Sequence, residues 1–262
     1  MINFIKDKKI IDLSITIQDG LPSDPPMMIP EIKYNRHEDS VDEMLGFFPG
    51  ASKDDLPNGL GWQTEKITLG THSGTHVDAP VHYHPTMNNG ERATCIDEIS
   101  LDRFMGYGVV LDMSDKPDGY LVTIDDLKEK LKDIDYNLKK GDVVLIKTGA
   151  SSKWGTIEYL TSGAGMGKKA TLWLINQGVM LVGTDAWSWD RPLGYIAEEF
   201  NETKDSSLIW EGHFAGIEKE YYHMEKLTNL EKLPSHGFFF MGLPIKIKDA
   251  SAGWIRAIAF ID

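Results

Sequence analysis

The chain reads as an α/β protein with a β-sheet core and flanking helices, and three observations predict it. Between Gly108 and Thr184, short apolar runs alternate with longer runs of helical periodicity, the pattern of strands linked by helices. Those helical runs carry their own start and stop signals. The composition, 41% hydrophobic and 26% charged over 262 residues, supplies enough apolar side chains for a sizeable core.

Each element follows from its residues. Lys9 to Ile17 alternates and is rich in isoleucine, so it predicts a first strand. Residues 18–61 hold many prolines, glycines and acidic residues with little periodicity, and predict a long loop or flap. Its apolar points, Phe47-Phe48-Pro49 and Leu60-Gly61-Trp62, either close over a site or pack the underside of the loop. Trp62 to Leu69 predicts a strand, and Pro85 to Gly90 a turn-rich loop.

Gly108 to Met113 predicts a short buried strand. Thr123 and Asp126 have the spacing of a capping box, and Ile124, Leu127, Leu131 and Ile134 then form one helical face. Val143 to Ile146 predicts a buried strand, Lys168 to Gln177 a helix stopped by Gly178, and Val179 to Thr184 another strand. Trp187 and Trp189 follow that strand's end, where they line an aromatic pocket or serve as core or interface residues. Tyr195 to Ser207 reads as polar and irregular, and Glu211 to Tyr222 as a helix carrying His213. Phe238 to Met241, Leu243 to Ile247 and Trp254 to Ile261 predict closing strands. No domain boundary is visible, so one domain over 1–262 is expected.

The chemistry concentrates at His72-Ser-Gly-Thr-His76-Val-Asp78-Ala-Pro80-Val-His82-Tyr-His84. Four of the eight histidines fall in these thirteen residues, with one aspartate among them. Imidazole and carboxylate together suit a divalent ion such as zinc or manganese. His72, Gly74, His76, Asp78, Pro80, His82 and His84 share parity, so an extended chain would show them on one face, with Gly74 leaving room there. Gly74 and Pro80 argue against a helix interior. The alternative is a polar loop of solvated histidines; four in register with an aspartate favour a metal site.

This stretch resembles the His-x-Gly-Thr-His-x-Asp-x-Pro-x-His signature of the cyclase family of metal-dependent hydrolases. His72, Gly74, Thr75, His76, Asp78, Pro80 and His82 meet every fixed position. The resemblance runs from about Asp12 to Ile261, with further anchors at Gly183-Thr-Asp185, His213, Glu225 and Pro244. Residues 18–61 and the Trp187/Trp189 region look like the isatin hydrolase side of the family. The resemblance implies a swivelling β/β/α domain assembled as a homodimer or larger. It implies one or two ions of Mn²⁺ or Zn²⁺, held first by His72, His76 and Asp78. His213 and Glu225 would join Asp78 around a second ion, or hold water and substrate if there is only one.

A metal held by three protein groups keeps open positions and makes water nucleophilic near neutral pH. Attack on an amide carbon then needs a proton carrier. His82, on the ligand face, is the first candidate and Glu225 the second. His84 and His37 are expected to be structural or exposed, and His223 and His236 have no motif behind them. The expected reaction is hydrolysis of a C–N bond in a cyclic or acyl amide, either an isatin-like lactam or N-formylkynurenine. Trp62, Phe47, Trp187 and Trp189 are the candidate substrate contacts. A non-catalytic metal- or ligand-binding protein is the reading from another class.

The net charge of −13 disfavours nucleic acid and anionic membrane surfaces as partners. The single cysteine, Cys95, is compatible with a reducing compartment. The start MINFIKDKKIIDL lacks the apolar stretch of a signal peptide, and no apolar run is long enough to span a bilayer. A soluble, cytoplasmic protein is the expectation.

Overall fold

A computed structural model of the chain describes residues 7–262; the first six residues of the expected domain lie outside the described residues. Nine strands form one sheet, in the spatial order Lys9–Asp12, Ile258–Ile261, His236–Met241, Met105–Asp112, Val143–Lys147, Leu181–Thr184, Tyr222–Glu225, His76–Asp78 and Ala252–Trp254. The four strands from Met105–Asp112 to Tyr222–Glu225 run parallel, and the flanking pairs are antiparallel.

A parallel sheet buries both faces, which explains the near-continuous apolar runs. Val109, Leu111, Val144, Ile146 and Val182 face one core with Leu127, Leu131, Ala170 and Leu174 from the helices Ile124–Asp133 and Lys168–Asn176. Val110, Val143, Leu145 and Leu181 face the other, with Phe104, Met224, Phe238 and Phe240. The mixed α/β fold is therefore as expected, and so are its central helices. Thr123 and Asp126 form the reciprocal capping box. Gly178 follows the second helix with φ +88°, the left-handed conformation that ends a helix at low cost in glycine.

Several expected elements differ. The first strand ends at Asp12, and only one bridge, Ser14 to Leu227, continues it. The 18–61 segment is not a plain loop. Its strand Glu31–Asn35 pairs with Thr64–Thr68 into an exposed two-stranded ribbon outside the main sheet, and it holds the short helix Val41–Leu45. The stretch expected to be irregular after Tyr195 is the helix Leu193–Thr203. Leu243 to Ile247 is not a strand: only Pro244, which has no N–H to donate, makes an isolated bridge to Ile255. Trp254 to Ile261 divides into the ends of two strands, Ala252–Trp254 and Ile258–Ile261. No helix among the described residues is long and apolar enough to cross a membrane.

Candidate active site

The register of two short strands builds the centre. His76–Asp78 lies antiparallel to Tyr222–Glu225, with Asp78 opposite His223 and His76 opposite Glu225. Side chains two apart on a strand share a face, so these four groups meet on one surface of the sheet. All four are buried. Only this part of the 72–84 stretch is extended. His72 sits in the preceding turn, and His82 on the short helix Pro80–Tyr83, so the single extended face expected from parity does not exist. The groups converge because turn, strand and helix bend around Asp78. Gly74 does not make room for a ligand: it adopts φ +72°, and an added Cβ would meet the Ile17 side chain at 3.1 Å. His84 turns away and pairs with Thr86 Oγ1 at 2.9 Å, while exposed His37 contacts the Gly61 carbonyl. His236 packs against Tyr136.

Asp78 stands between two groups of donors. Its Oδ1 lies 2.9 Å from His72 Nδ1 and 3.2 Å from His76 Nε2. Its Oδ2 lies 3.1 Å from His223 Nε2, 3.5 Å from His82 Nε2 and 3.8 Å from His213 Nε2. Glu225 Oε1 is 3.2 Å from His223 Nε2 and 3.6 Å from His213 Nε2, and its Oε2 is 3.6 Å from His76 Nε2. The helix Glu211–Glu218 delivers His213, whose Nδ1 is held by Asp190 at 2.5 Å. His76 Nδ1 donates to the Gly74 carbonyl at 2.8 Å. Both contacts leave Nε2 as the lone-pair nitrogen facing the carboxylates, the usual second-shell arrangement of a metal-binding histidine.

The fit to a divalent cation rests on atoms the protein leaves unpaired. His76 Nε2, His223 Nε2 and both Asp78 carboxylate oxygens are buried without a hydrogen-bond partner, a costly state unless an ion satisfies them. The electrostatics agree. Burial disfavours charge on His223, yet the Asp78 and Glu225 carboxylates, 3.1 and 3.2 Å from its Nε2, raise it to about 9. Burial would also push Asp78 up, but the surrounding imidazoles hold it well below the usual carboxylate range. Glu225 is likewise held down against its burial, mainly by the adjacent His223. The centre thus favours positive charge, as a divalent-cation site requires. His82 behaves differently. Burial, with like-charged His72 and His213 nearby, outweighs Asp78 and lowers it to about 3, so its ring is neutral near pH 7.

The cyclase family's sequence pattern matches residues 11–191, about two thirds of the chain. This protein is a member of the cyclase family. It is similar to the kynurenine formamidase of Erythrobacter litoralis, 28% identical over 262 residues that cover 98% of this chain and 96% of that one. It is also similar to the isatin hydrolase of Roseibium aggregatum, 28% identical over 219 residues, covering 74% of this chain and 73% of that one. A solved isatin hydrolase bound to the product analogue thioisatinate shares the fold, with TM-score 0.76, 19% identity and coverage of 99% of this chain and 95% of that chain.

In this cyclase-family member a cavity of about 710 Å³ opens over the centre. His72, His82, His213 and Glu225 reach it from the metal side, and its walls come from Trp187, Leu193, Ile196, Phe200, Trp210 and Phe214. Of the expected substrate contacts only Trp187 lines it. Phe47 is 69% exposed and meets Trp62 edge to face at 5.5 Å in the ribbon region, away from the cavity lining. Trp189 is a core residue: its indole bonds Thr171, its backbone N–H donates to Glu225 Oε1 at 2.8 Å, and its ring stacks over His223.

Three contributors were missed by sequence reasoning. His223 had a usable signal, since it shares parity with Glu225 on one strand. The helix Leu193–Thr203 had one too, because Leu193, Ile196, Ala197 and Phe200 are spaced i, i+3, i+4, i+7. Trp210 had none. It stacks on His213 with centroids 4.1 Å apart and takes a left-handed φ of 54°. At the cavity's base the buried ammonium of Lys226 is held by Asp24 and by the His72 carbonyl, and Trp187 Nε1 also donates to Asp24. Arg191, the arginine beside the tryptophans, is paired with Glu199 at 2.7 Å.

Proposed function

We propose that this protein is a metal-dependent hydrolase that opens the C–N bond of an uncharged cyclic amide of the isatin type. The observation that carries the reading is the join between the two halves of the site. A cation-demanding cluster lies at one end of a largely apolar, aromatic-walled cavity. Among the described lining residues the one fixed cation, Lys226, is already paired with Asp24. A flat, neutral ring system suits those walls. The charged amino-acid group of N-formylkynurenine would enter without a free counter-ion.

His72, His76, Asp78, His213 and Glu225 are the proposed ligands, for Mn²⁺ or Zn²⁺. A bound divalent ion would supply Lewis acidity for carbonyl polarisation and water activation. His82 is the proposed proton carrier: it borders the cavity, is neutral near pH 7, and lies one side chain from Asp78. Glu225 is better placed as a ligand than as an acid, because His223 and the Trp189 N–H both stabilise its ionised form. Assembly as a homodimer or larger and a cytoplasmic location complete the proposal.

The test is a side-by-side assay of an isatin-type lactam and N-formylkynurenine, with manganese and then with zinc. The lactam is expected to lead in kcat/KM by at least about tenfold, equivalent to about 1.4 kcal/mol of transition-state discrimination. A preference for N-formylkynurenine under both metals would restore the arylformamidase reading. Tight metal binding with no hydrolysis of any amide would favour a non-catalytic binding protein.

A further inference from the structure

The structure assigns His223 as a metal ligand that completes a closed inner position, separate from the outer position that faces the cavity. The inner donors are Asp78 Oδ2, Glu225 Oε1, His213 Nε2 and His223 Nε2. The argument starts from the imidazole's far side. Two hydroxyls face His223 Nδ1, Tyr221 at 3.2 Å and Tyr83 at 3.3 Å. Tyr221 donates its proton to the Gly212 carbonyl at 2.7 Å and Tyr83 to the Asp78 carbonyl at 3.5 Å, so toward Nδ1 both oxygens act as acceptors. His223 Nδ1 therefore carries a proton. In the neutral ring Nε2 then holds the lone pair, and it points between two carboxylates with no hydrogen-bond partner. A lone pair buried against anions is repulsive unless a cation lies between them.

Distances support a shared centre. Bonds of about 2.0–2.2 Å in a tetrahedral site set donor-to-donor edges at about 3.3–3.6 Å. Four edges of the inner set measure 3.1, 3.2, 3.6 and 3.8 Å. The four donor atoms all lie within 4.8 Å of one another, and all four residues are buried. Four protein donors leave no vacancy at a tetrahedral ion, the mark of a structural rather than a reactive position. The outer position differs: its donor His72 keeps 20% of its side chain accessible on the cavity wall. Asp78 serves both sides, with Oδ1 outward and Oδ2 inward. The reactive ion is therefore the outer one. The inner ion fixes the Asp78 carboxylate and holds His213 and Glu225 in place.

The rest of the His223 surroundings suits a fixed ligand. Tyr83 stacks on one face of its ring at 5.1 Å and Trp189 lies parallel at 5.8 Å, so the imidazole has no room to swing out. The inference shares with the proposed hydrolase only the premise that the centre binds divalent cations.

The experiment uses the full chain loaded with zinc, dialysed against a weak chelator and analysed for metal, with cobalt(II) substitution as a spectroscopic probe. Wild type and His72→Ala should each retain one zinc per chain, and the retained cobalt should show the intense visible bands of tetrahedral coordination. His223→Leu should retain none and lose those bands. The double change Tyr83→Phe/Tyr221→Phe, near-isosteric at both positions, removes both acceptors of the Nδ1 proton and should weaken zinc binding by about 10–100-fold, as second-shell losses do. Unchanged zinc retention and cobalt spectrum in His223→Leu would overturn the assignment. So would unaltered affinity in Tyr83→Phe/Tyr221→Phe, should His223→Leu fail to fold. Failure of the hydrolase reading looks different: a fully loaded wild type that cleaves no amide, with the inner ion still bound.

Discussion

His82→Ala separates three roles that one side chain could fill, and the structure sets the thresholds. The ring lies 3.9 Å from the His72 ring, 5.0 Å from Trp210 and 5.6 Å from His213. As part of the wall the ring would offer a bound substrate one aromatic contact, worth about 0.5–1.5 kcal/mol. At 1.36 kcal/mol per factor of ten, a wall residue therefore accounts for a fall in kcat/KM of up to about tenfold. A positioned acid or base contributes roughly 10²–10⁴-fold, or about 2.7–5.4 kcal/mol. A ligand would instead be seen in the metal content. We expect His82→Ala to keep its metal complement and KM within a few-fold, and to lose about 10²–10⁴ in kcat. Because the ring borders the cavity, exogenous imidazole should enter the space left behind and recover part of the rate. The assay is steady-state hydrolysis of the lactam, beside metal analysis of the same preparation. Metal loss matching that of His72→Ala would make His82 a ligand. A fall under tenfold with no imidazole rescue would make it part of the wall.

Asp78→Ala should abolish both ions and all hydrolysis, because its two oxygens face the two donor groups separately; retained metal in that variant would refute the bridging role. Asp126 tests the fold away from the site: burial alone would raise its pKa, but Lys116, Thr123 and Tyr120 lower it from 3.8 to about 2. A depressed carboxylate stabilises the folded state above its unfolded pKa and loses that contribution as pH falls through the folded one. Urea unfolding of wild type and Asp126→Asn should therefore differ by about 1 kcal/mol at pH 6, the usual worth of a helix cap, with the gap closing between pH 4 and pH 2. A gap independent of pH would refute the ionic origin.

How much of this was readable in the sequence depended on how locally each feature is specified. The 72–82 signature, the capped helix after Thr123 and the glycine stop at Gly178 are set by neighbours in sequence, and all three appear in the fold. His223 is not local in that sense: its partner across the strand pair is Asp78, 145 positions earlier, and register is invisible without the sheet. The helix Leu193–Thr203 was hidden by its polar face, where Glu198, Glu199, Asn201, Glu202 and Thr203 outnumber the apolar positions near its end. Counting aromatic residues found the cavity's character but not its walls. Phe47 and Trp62 are as aromatic as Trp210 and Phe214, and only the chain path decides which of them face the ligand groups.

The reactive centre and the sheet register are one constraint. A slip of one residue between His76–Asp78 and its neighbours would turn both side chains to the opposite face and dissolve the site. A three-residue strand cannot hold its register by length alone, so the chain clamps it at both ends. Ahead of it, the Thr75 carbonyl accepts from Ile255 N at 3.1 Å, and Thr75 Oγ1 donates to the Lys226 carbonyl at 2.6 Å. Behind it, Ala79 N donates to the Ser251 carbonyl at 2.9 Å. The Thr75 to Lys226 bond fastens the strand to the residue after Glu225, and the other two fasten it to Ala252–Trp254 on the far side. Lys226 then reaches back to the His72 carbonyl, so the turn carrying the outer donor is tied to the strand carrying the inner ones. The threonine of the signature, which offers no metal-binding group here, is thus explained by geometry: it keeps Asp78 opposite His223, where one carboxylate can face both donor groups.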